Sequence, residues 1–340
     1  MSNLTQKSDI VNQNCIETVI TGTGEVLVDT SASGRERPWA AHKQENMQLL
    51  KVMQLAHECD DLTIKQSRLD DFAHCGEVLC FEQDAQGQRR LKRANFCHVR
   101  VCPICNWRRS LKLFAQVSKI TDEMLKTQKV RFIFVTFTIK NTKAEFLEDA
   151  ISAINKGFAA ITNKHRTLAA AKRFKTNLLG YMKAVEITYN AVQDTYHPHI
   201  HAIFAVRPGY FNKVGYLTRK AWRDLWQDVM KLDYSPQVDV RAISGREKAV
   251  AEMAKYPVKT ADLLTLDLNT AALALLTLYR AMHGRRLVTF GGQFREIARK
   301  LRLDDVENGD LIHVDDEAAG FNPVALVLFK YHARVGLYIC

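Results

Sequence analysis

Two rhythms of apolar residues alternate along this chain. Over residues 46–70 the spacing of Leu49, Leu50, Met53 and Leu55 predicts a helix, as does the pattern from about 106 to 127. The next stretch, "VRFIFVTFTIKN" at 130–141, is dense in β-branched and aromatic residues and predicts a strand. Residues 143–172 read as helical, "LLGYMKAVEITYN" at 178–190 as a second strand, and "HPHIHAIFAV" at 197–206 as a third, with the short polar "NAVQDT" suiting a hairpin between them. An amphipathic helix at 218–232, a fourth strand "QVDVRAI" at 237–243 and a helix at 245–260 follow. Strand–helix–strand–strand–helix–strand is the split arrangement of ferredoxin-like domains. A further apolar helix is expected at 262–283; residues 1–45 are polar and read as a mobile arm, although "EVLVDT" could be a short strand.

With 340 residues and 47% apolar content, one large or two modest domains are expected, each with an ample core. The formal charge of +11 favours a polyanionic partner, nucleic acid or an anionic membrane surface. No run approaches the ~18 uninterrupted apolar residues that span a bilayer. The start, "MSNLTQKSDIVNQN", lacks a charged segment followed by an apolar one. A cytoplasmic protein without membrane partners is expected, and in that reducing setting its eight cysteines point to metal or buried thiols before disulfides.

"TYHPHIHAIFAV", residues 195–206, sets His197, His199 and His201 at alternate positions. Residues two apart on a strand share a face, so His199 and His201 should project together as paired donors for a divalent metal. The alternative is a solvated strand end with hydrogen-bonded histidines.

A second cluster sits in "ANFCHVRVCPICNWRRS". Cys102 and Cys105 are separated by two residues, a turn in which two thiolates can grip one zinc, and Cys97 lies just upstream. Cys75 is the choice for a fourth ligand, with Cys80 and His98 as alternatives. Such a site is expected to be structural, since four thiolates leave no open position. Arg100, Arg108 and Arg109 flank it and would suit phosphate contacts; otherwise they begin a solvated helix.

In the helix at 245–260, Glu252 and Tyr256 are one turn apart and share a face, with Lys255 and Lys259 alongside as candidate DNA contacts. A phenolic oxygen can attack a phosphodiester and become covalently phosphorylated when a cation stabilises the developing charge.

Taken in order, "FVTFTIKN", "EITYNAVQDTYHPHIHAI" and "EMAKYPVK" resemble the three motifs of HUH endonucleases, and are most similar to the replication initiators of small rolling-circle plasmids. "FCHVRVCPIC…RR" and "GRRLVTFGGQF" resemble the same plasmid family, and the likeness spans roughly residues 72–300. The resemblance implies an α+β chain: a ferredoxin-like nicking domain of antiparallel sheet and helices, an N-terminal Cys-rich zinc-binding region and C-terminal helices. It implies manganese or magnesium on His199 and His201, with Glu186 as third ligand or His197 in its stead, Tyr256 as nucleophile, and Glu252 activating water at termination. The implied partners are origin DNA, as a hairpin or single-stranded nick site, and a host helicase and polymerase. The expected division is an arm at 1–45, a helical and Cys-rich region at 46–127, the nicking domain at 128–262, and a helical extension and tail at 263–340. A relaxase or transposase of the same fold, and a non-catalytic zinc-dependent DNA-binding regulator, are the alternatives.

Overall fold

The computed structural model describes residues 18–31, 34–163, 171–212, 215–243, 260–314 and 321–340. They fall into two compact units, neither contiguous in sequence: one from the described parts of 1–40, 76–95 and 317–340, the other from 41–75 and the described parts of 96–316. The units therefore do not follow the divisions expected from the sequence.

The smaller unit is a five-stranded sheet. Strand β9 (Pro323–His332) lies between β2 (Val78–Asp84) and an edge shared by β1 (Val19–Ile20) and β10 (Leu337–Ile339), and β3 (Arg89–Ala94) closes the far side. Strict alternation drives β9: Ala325, Val327, Phe329 and Tyr331 are buried, and the residues between them are more exposed. The β2–β3 turn is held by Asp84, whose carboxylate accepts from the Gln86 and Gln88 amides, and Gly87 supplies the positive φ the turn requires. Trp39 meets Phe81 edge-on, and Phe81 meets Phe329 likewise, which forms the core. One expectation, a mobile arm over 1–45, is corrected here. The described part of the N-terminal arm contributes a strand and the tryptophan of this core. The C-terminal tail is strand, because its period is two.

The larger unit holds the central sheet, ordered β7 (Val238–Ile243), β4 (Arg131–Thr138), β6 (Thr195–Val206), β5 (Leu178–Asn190), β8 (Val288–Gly292), with every neighbouring pair antiparallel. The first four strands reproduce the split ferredoxin-like order, and β8 extends it at the β5 edge. One face carries Phe137 and Phe204. Against them pack α4 (Leu147–Thr162) and α6 (Arg219–Met230), through Phe158, Trp222 and Trp226. In α4 the residues Leu147, Ile151, Ile154, Phe158 and Ile161 recur at helical spacing and are buried. Gly157 lets α6 approach, since a side chain there would strike Met230. Thr218 caps α6 by accepting from the Ala221 amide at 3.1 Å. The two tryptophans bury their rings and still satisfy their N–H groups, on the Tyr210 hydroxyl and the Thr138 carbonyl.

Among the described residues, the remaining α-helices of this unit are α1 (Trp39–Cys59, its first residues in the smaller unit), α2 (Gln66–Ala73), α3 (Pro103–Thr127), α5 (Lys172–Asn177), α7 (Leu268–Met282) and α8 (Gln293–Lys300). Gly291 and Gly292 of the "GRRLVTFGGQF" motif are structural. The Tyr181 ring lies where a side chain on Gly291 would go, and Gly292 has φ of 56° against the Leu179 carbonyl. No helix among the described residues is long and apolar enough to cross a membrane.

Candidate functional site

Antiparallel register decides which side chains meet on the sheet face opposite α4 and α6. Glu186 of β5 pairs directly with His199 of β6, and His201 pairs with Thr136 of β4. Directly opposed residues point to the same face, so Thr136, Thr138, Glu186, His199 and His201 all project together. The Glu186 Oε2 atom lies 2.9 Å from His201 Nε2 and 3.4 Å from His199 Nε2, and the two imidazole nitrogens are 3.1 Å apart. Glu186 and His199 are buried and His201 is half-buried.

Each ring is oriented from behind. His199 Nδ1 is 3.1 Å from the His197 carbonyl, which can only accept, so Nδ1 carries the proton and Nε2 presents a lone pair to the cluster. His201 Nδ1 is 3.1 Å from the Thr136 hydroxyl, and its ring stacks on Phe134 with centroids 5.5 Å apart. An octahedral ion with bonds of ~2.1 Å has neighbouring ligands about 3.0 Å apart, close to all three separations seen here. One carboxylate and two imidazoles suit a divalent ion. His197 leans on His199 at 5.1 Å between ring centroids and falls outside this three-residue group. Burial lowers its pKa.

The second group is tighter. The sulfurs of Cys75, Cys97, Cys102 and Cys105 converge, with Cys75–Cys105 at 3.6 Å, Cys97–Cys105 at 3.7 Å and Cys75–Cys102 at 3.6 Å. These distances exclude disulfides, whose sulfurs lie ~2.05 Å apart. They match the edge of a zinc–thiolate tetrahedron, about 3.8 Å for bonds of ~2.3 Å. All four residues are buried. Burial pushes the Cys97 thiol up. At Cys105 burial opposes ionisation too, but hydrogen bonds from the other three cysteines and the charge of Arg109 bring the thiol well below its ordinary range.

The surroundings supply compensation that the sequence did not disclose. Asn46 donates to Cys102 Sγ at 3.6 Å, and the Cys97 amide donates to Cys75 Sγ at 3.4 Å. The Lys43 ammonium, almost fully buried, donates to the Cys75 carbonyl at 2.8 Å and the Ala73 carbonyl at 3.0 Å. Lys43 and Asn46 are one turn apart on α1, with nothing in their local pattern to mark them. Cys80 and His98 do not belong to the group; Cys80 lies in β2 of the smaller unit.

Two expected DNA contacts are corrected. Arg108 and Arg109 are buried. Arg109 donates to the carbonyls of His98 at 2.7 Å, Val99 at 3.3 Å and Glu307 at 3.1 Å. Arg108 donates to those of Leu311 at 2.9 Å and Ile312 at 2.6 Å. Their guanidinium groups tie α3 to the 304–312 segment, and Arg100, in the turn before α3, reaches the same segment through Glu307 at 2.6 Å. Tyr256, Glu252, Lys255 and Lys259 lie outside the described residues.

Comparison with known proteins decides the family. The sequence matches the Replication protein family over residues 88–334. The chain belongs to the Rep family of replication proteins. It is 34% identical to the Protein rep of Streptococcus pneumoniae over 300 residues, which covers 86% of this chain and 88% of that one. It is 36% identical to that of Lactiplantibacillus plantarum, covering 86% and 91%. To that of Bacillus amyloliquefaciens it is 35% identical, covering 92% and 97%. No solved structure matches the chain. Membership of the Rep family agrees with the likeness to rolling-circle plasmid initiators and places the chain in plasmid replication initiation.

Proposed function

We propose that this Rep-family chain initiates rolling-circle replication by nicking one strand of the plasmid's double-strand origin and later rejoining the displaced strand. The observation that carries the reading is the convergence of Glu186, His199 and His201 on one face of a ferredoxin-like sheet. The basic charge and the family match support it.

Glu186, His199 and His201 would hold manganese or magnesium, which when bound polarises the scissile phosphate and offsets the charge that builds on it. Thr136 and the His197 carbonyl keep the two rings aimed. The Tyr256 phenol attacks phosphorus: a bond forms from its oxygen to phosphorus, the bond from phosphorus to the 3′ oxygen breaks, the phenolic proton leaves to solvent, and the departing 3′ oxygen takes a proton from solvent. The products are a 5′-phosphotyrosyl chain and a free 3′-OH, which a host polymerase extends behind a host helicase. Attack by a new 3′-OH on the phosphotyrosine reverses the chemistry and closes a circle without ATP, since the tyrosyl bond keeps the diester energy. Glu252, four residues before Tyr256 in the sequence, draws a proton from water at termination. The four cysteines would hold a structural zinc.

The test is a supercoiled plasmid carrying the cognate origin, incubated with Mn²⁺ and full-length protein. Wild type should give nicked circles, and His199→Ala should give none while still binding DNA. Equal nicking by both proteins would remove the histidine site from the reaction.

A further inference from the structure

Helix α8 is basic on its outer side. From Gln293 to Arg302 the chain carries Arg295, Arg299, Lys300 and Arg302 against one carboxylate, Glu296; all five are exposed, and Phe294 is buried beneath them. We propose that α8 and the adjoining end of α3 form a docking face for double-stranded DNA, which holds the origin duplex on the same side of the central sheet as the Glu186–His199–His201 group. The proposal rests on the nicking reading above and names where the uncut duplex lies.

The charges on this face are largely uncompensated. Arg295 donates its Nε to the Phe290 carbonyl at 3.0 Å, which fixes its guanidinium beside the β8 edge of the sheet. Arg299, one turn on and on the same face, makes no ion pair among the described residues, and neither does Arg302. Lys300 pairs with Glu123 of α3 at 2.7 Å, and Gln293 accepts from Gln128, so α8 runs antiparallel beside the last turns of α3. There Lys126, Lys129 and Arg131 line a cavity of about 570 Å³ with no carboxylate in its lining. Cations gathered in this way raise the local potential that attracts a phosphate backbone.

The end of α8 keeps an arginine where the backbone favours glycine. The Leu303 amide returns to the Ala298 carbonyl at 2.9 Å, and Arg302 between them has φ of 51°. Glycine fills this left-handed helix-ending position without strain. Arginine fills it at a cost to the fold and adds an exposed cation to the row begun by Arg295 and Arg299.

The sheet sets the position. Phe290 of β8 pairs with Met182 of β5, which shares a face with Glu186 four residues on, and the Phe290 ring lies 6.2 Å from that of Phe294. A side chain on Gly180 would strike the amides of Gln293 and Phe294 on this same face. Helix α8 therefore lies on the side of the sheet that carries Glu186, His199 and His201. Gly180 and Glu186 are six residues apart on β5, roughly 20 Å, or about six base pairs of duplex at ~3.4 Å each.

The face suits a duplex better than a single strand. Single-strand sites stack bases on aromatic rings. Neither 125–131 nor 293–302 presents an exposed aromatic ring, so what it offers is cations for backbone phosphates.

The experiment measures anisotropy of a labelled 20-base-pair duplex and of labelled dT20 with full-length protein across a salt series. Arg299→Ala with Arg302→Gly should weaken duplex binding ~10-fold or more near 0.1 M salt, and lower the slope of log K against log salt by about 1.8, about 0.9 for each lost phosphate contact. Affinity for dT20 should change much less. Lys220→Ala removes an exposed cation of α6, across the sheet, and should change duplex affinity by no more than about 2-fold. Arg302→Gly alone relieves the left-handed residue, so it should keep the melting temperature and still lower the duplex slope by about 0.9. If the double variant melts early, this single variant carries the test. Unchanged duplex affinity and slope would overturn the proposal. So would an equal loss on dT20, which would make the face a general polyanion contact. If wild type fails to nick its origin but the duplex effect is present, the nicking reading falls and the docking face remains. If wild type nicks and the duplex effect is absent, the docking face alone falls.

Discussion

Glu186 Oε2 lies 2.9 Å from His201 Nε2, although the residues are separated by 15 positions and sit on different strands of a hairpin. Register alone brings them together: the β5–β6 pair sets Glu186 opposite His199 and leaves His201 one pleat further along the same face. This places a carboxylate in the group that could hold a metal ion and leaves His197 beside it.

Metal titration separates the two candidates for third ligand. Glu186→Ala should weaken Mn²⁺ binding ~10-fold or more, and His197→Ala should weaken it much less, because the His197 hydrogen bond to His199 comes from its backbone carbonyl, which the substitution keeps. Calorimetric titration of both variants checks this. Wild-type affinity in Glu186→Ala with loss in His197→Ala would exchange their roles.

Zinc analysis addresses the cysteine group. Purified protein should carry about one zinc per chain that EDTA removes slowly, with loss of structure around residues 72–110. Cys102→Ser with Cys105→Ser should abolish it. Retention of zinc by that double variant, measured by emission spectrometry, would contradict the assignment.

Arg109 is expected to act on stability. Its guanidinium makes hydrogen bonds to the carbonyls of His98, Val99 and Glu307, the last two in buried contacts, and to Asn106 Oδ1. Arg109→Ala should cost about 3 kcal/mol or more, since bonds to charged donors are each worth ~1.5–3 kcal/mol and the carbonyls would be left without partners. Urea unfolding measures the loss. DNA affinity of the folded fraction should not change; a selective fall in DNA affinity with normal stability would restore the phosphate-contact role.

Lys183 gives a pH signature. It points to the α4 side of the sheet, over the Phe158 ring at 5.3 Å and bonded to Asn155. Burial lowers its pKa to about 8, against a smaller opposing effect of Glu307. Below pH 8 both folded and unfolded chains hold the proton, so the full cost of burying the charge is present. Between about 8 and 10.5 the folded chain releases the proton first, so this group's contribution to stability rises with pH, by at most ~1.4 kcal/mol per pH unit. Lys183→Met should therefore exceed wild type in stability by more at pH 7 than at pH 10. A constant difference in urea unfolding across that range would contradict the burial of a charged lysine.

Much of the site was legible because its signals are local. Strand β5 occupies the residues its apolar pattern predicts, 178–190, and the alternate histidines of β6 share a face as period two requires. Helix α3 begins at Pro103, three residues before the expected start, because the Cys102–Cys105 turn is already its first turn. What escaped is non-local. Arg108 and Arg109 look like surface cations until the carbonyls of 307–312, some two hundred residues on, fold over them. The pairing of β2 with β9 joins residues 78–84 to 323–330, and β1 is two residues long, too short to carry a period. Lys43 meets Cys75 only through the packing of α1, so no spacing rule could find it.

The central claim is a covalent tyrosyl intermediate at a metal-assisted nick. Its most direct measurement uses an internally labelled supercoiled origin plasmid, Mn²⁺ and full-length protein, digested with nuclease after the reaction and resolved on a denaturing protein gel. Wild type should show a band with DNA attached to the chain, and mass spectrometry should place the phosphate on Tyr256. Tyr256→Phe keeps the ring and loses only the nucleophilic oxygen, so both nick and adduct should vanish. Glu252→Gln should still form the adduct but fail to stop cleanly after one round. An adduct that persists in Tyr256→Phe would contradict the account and move the nucleophile to another tyrosine, with Tyr234 and Tyr279 the next to substitute.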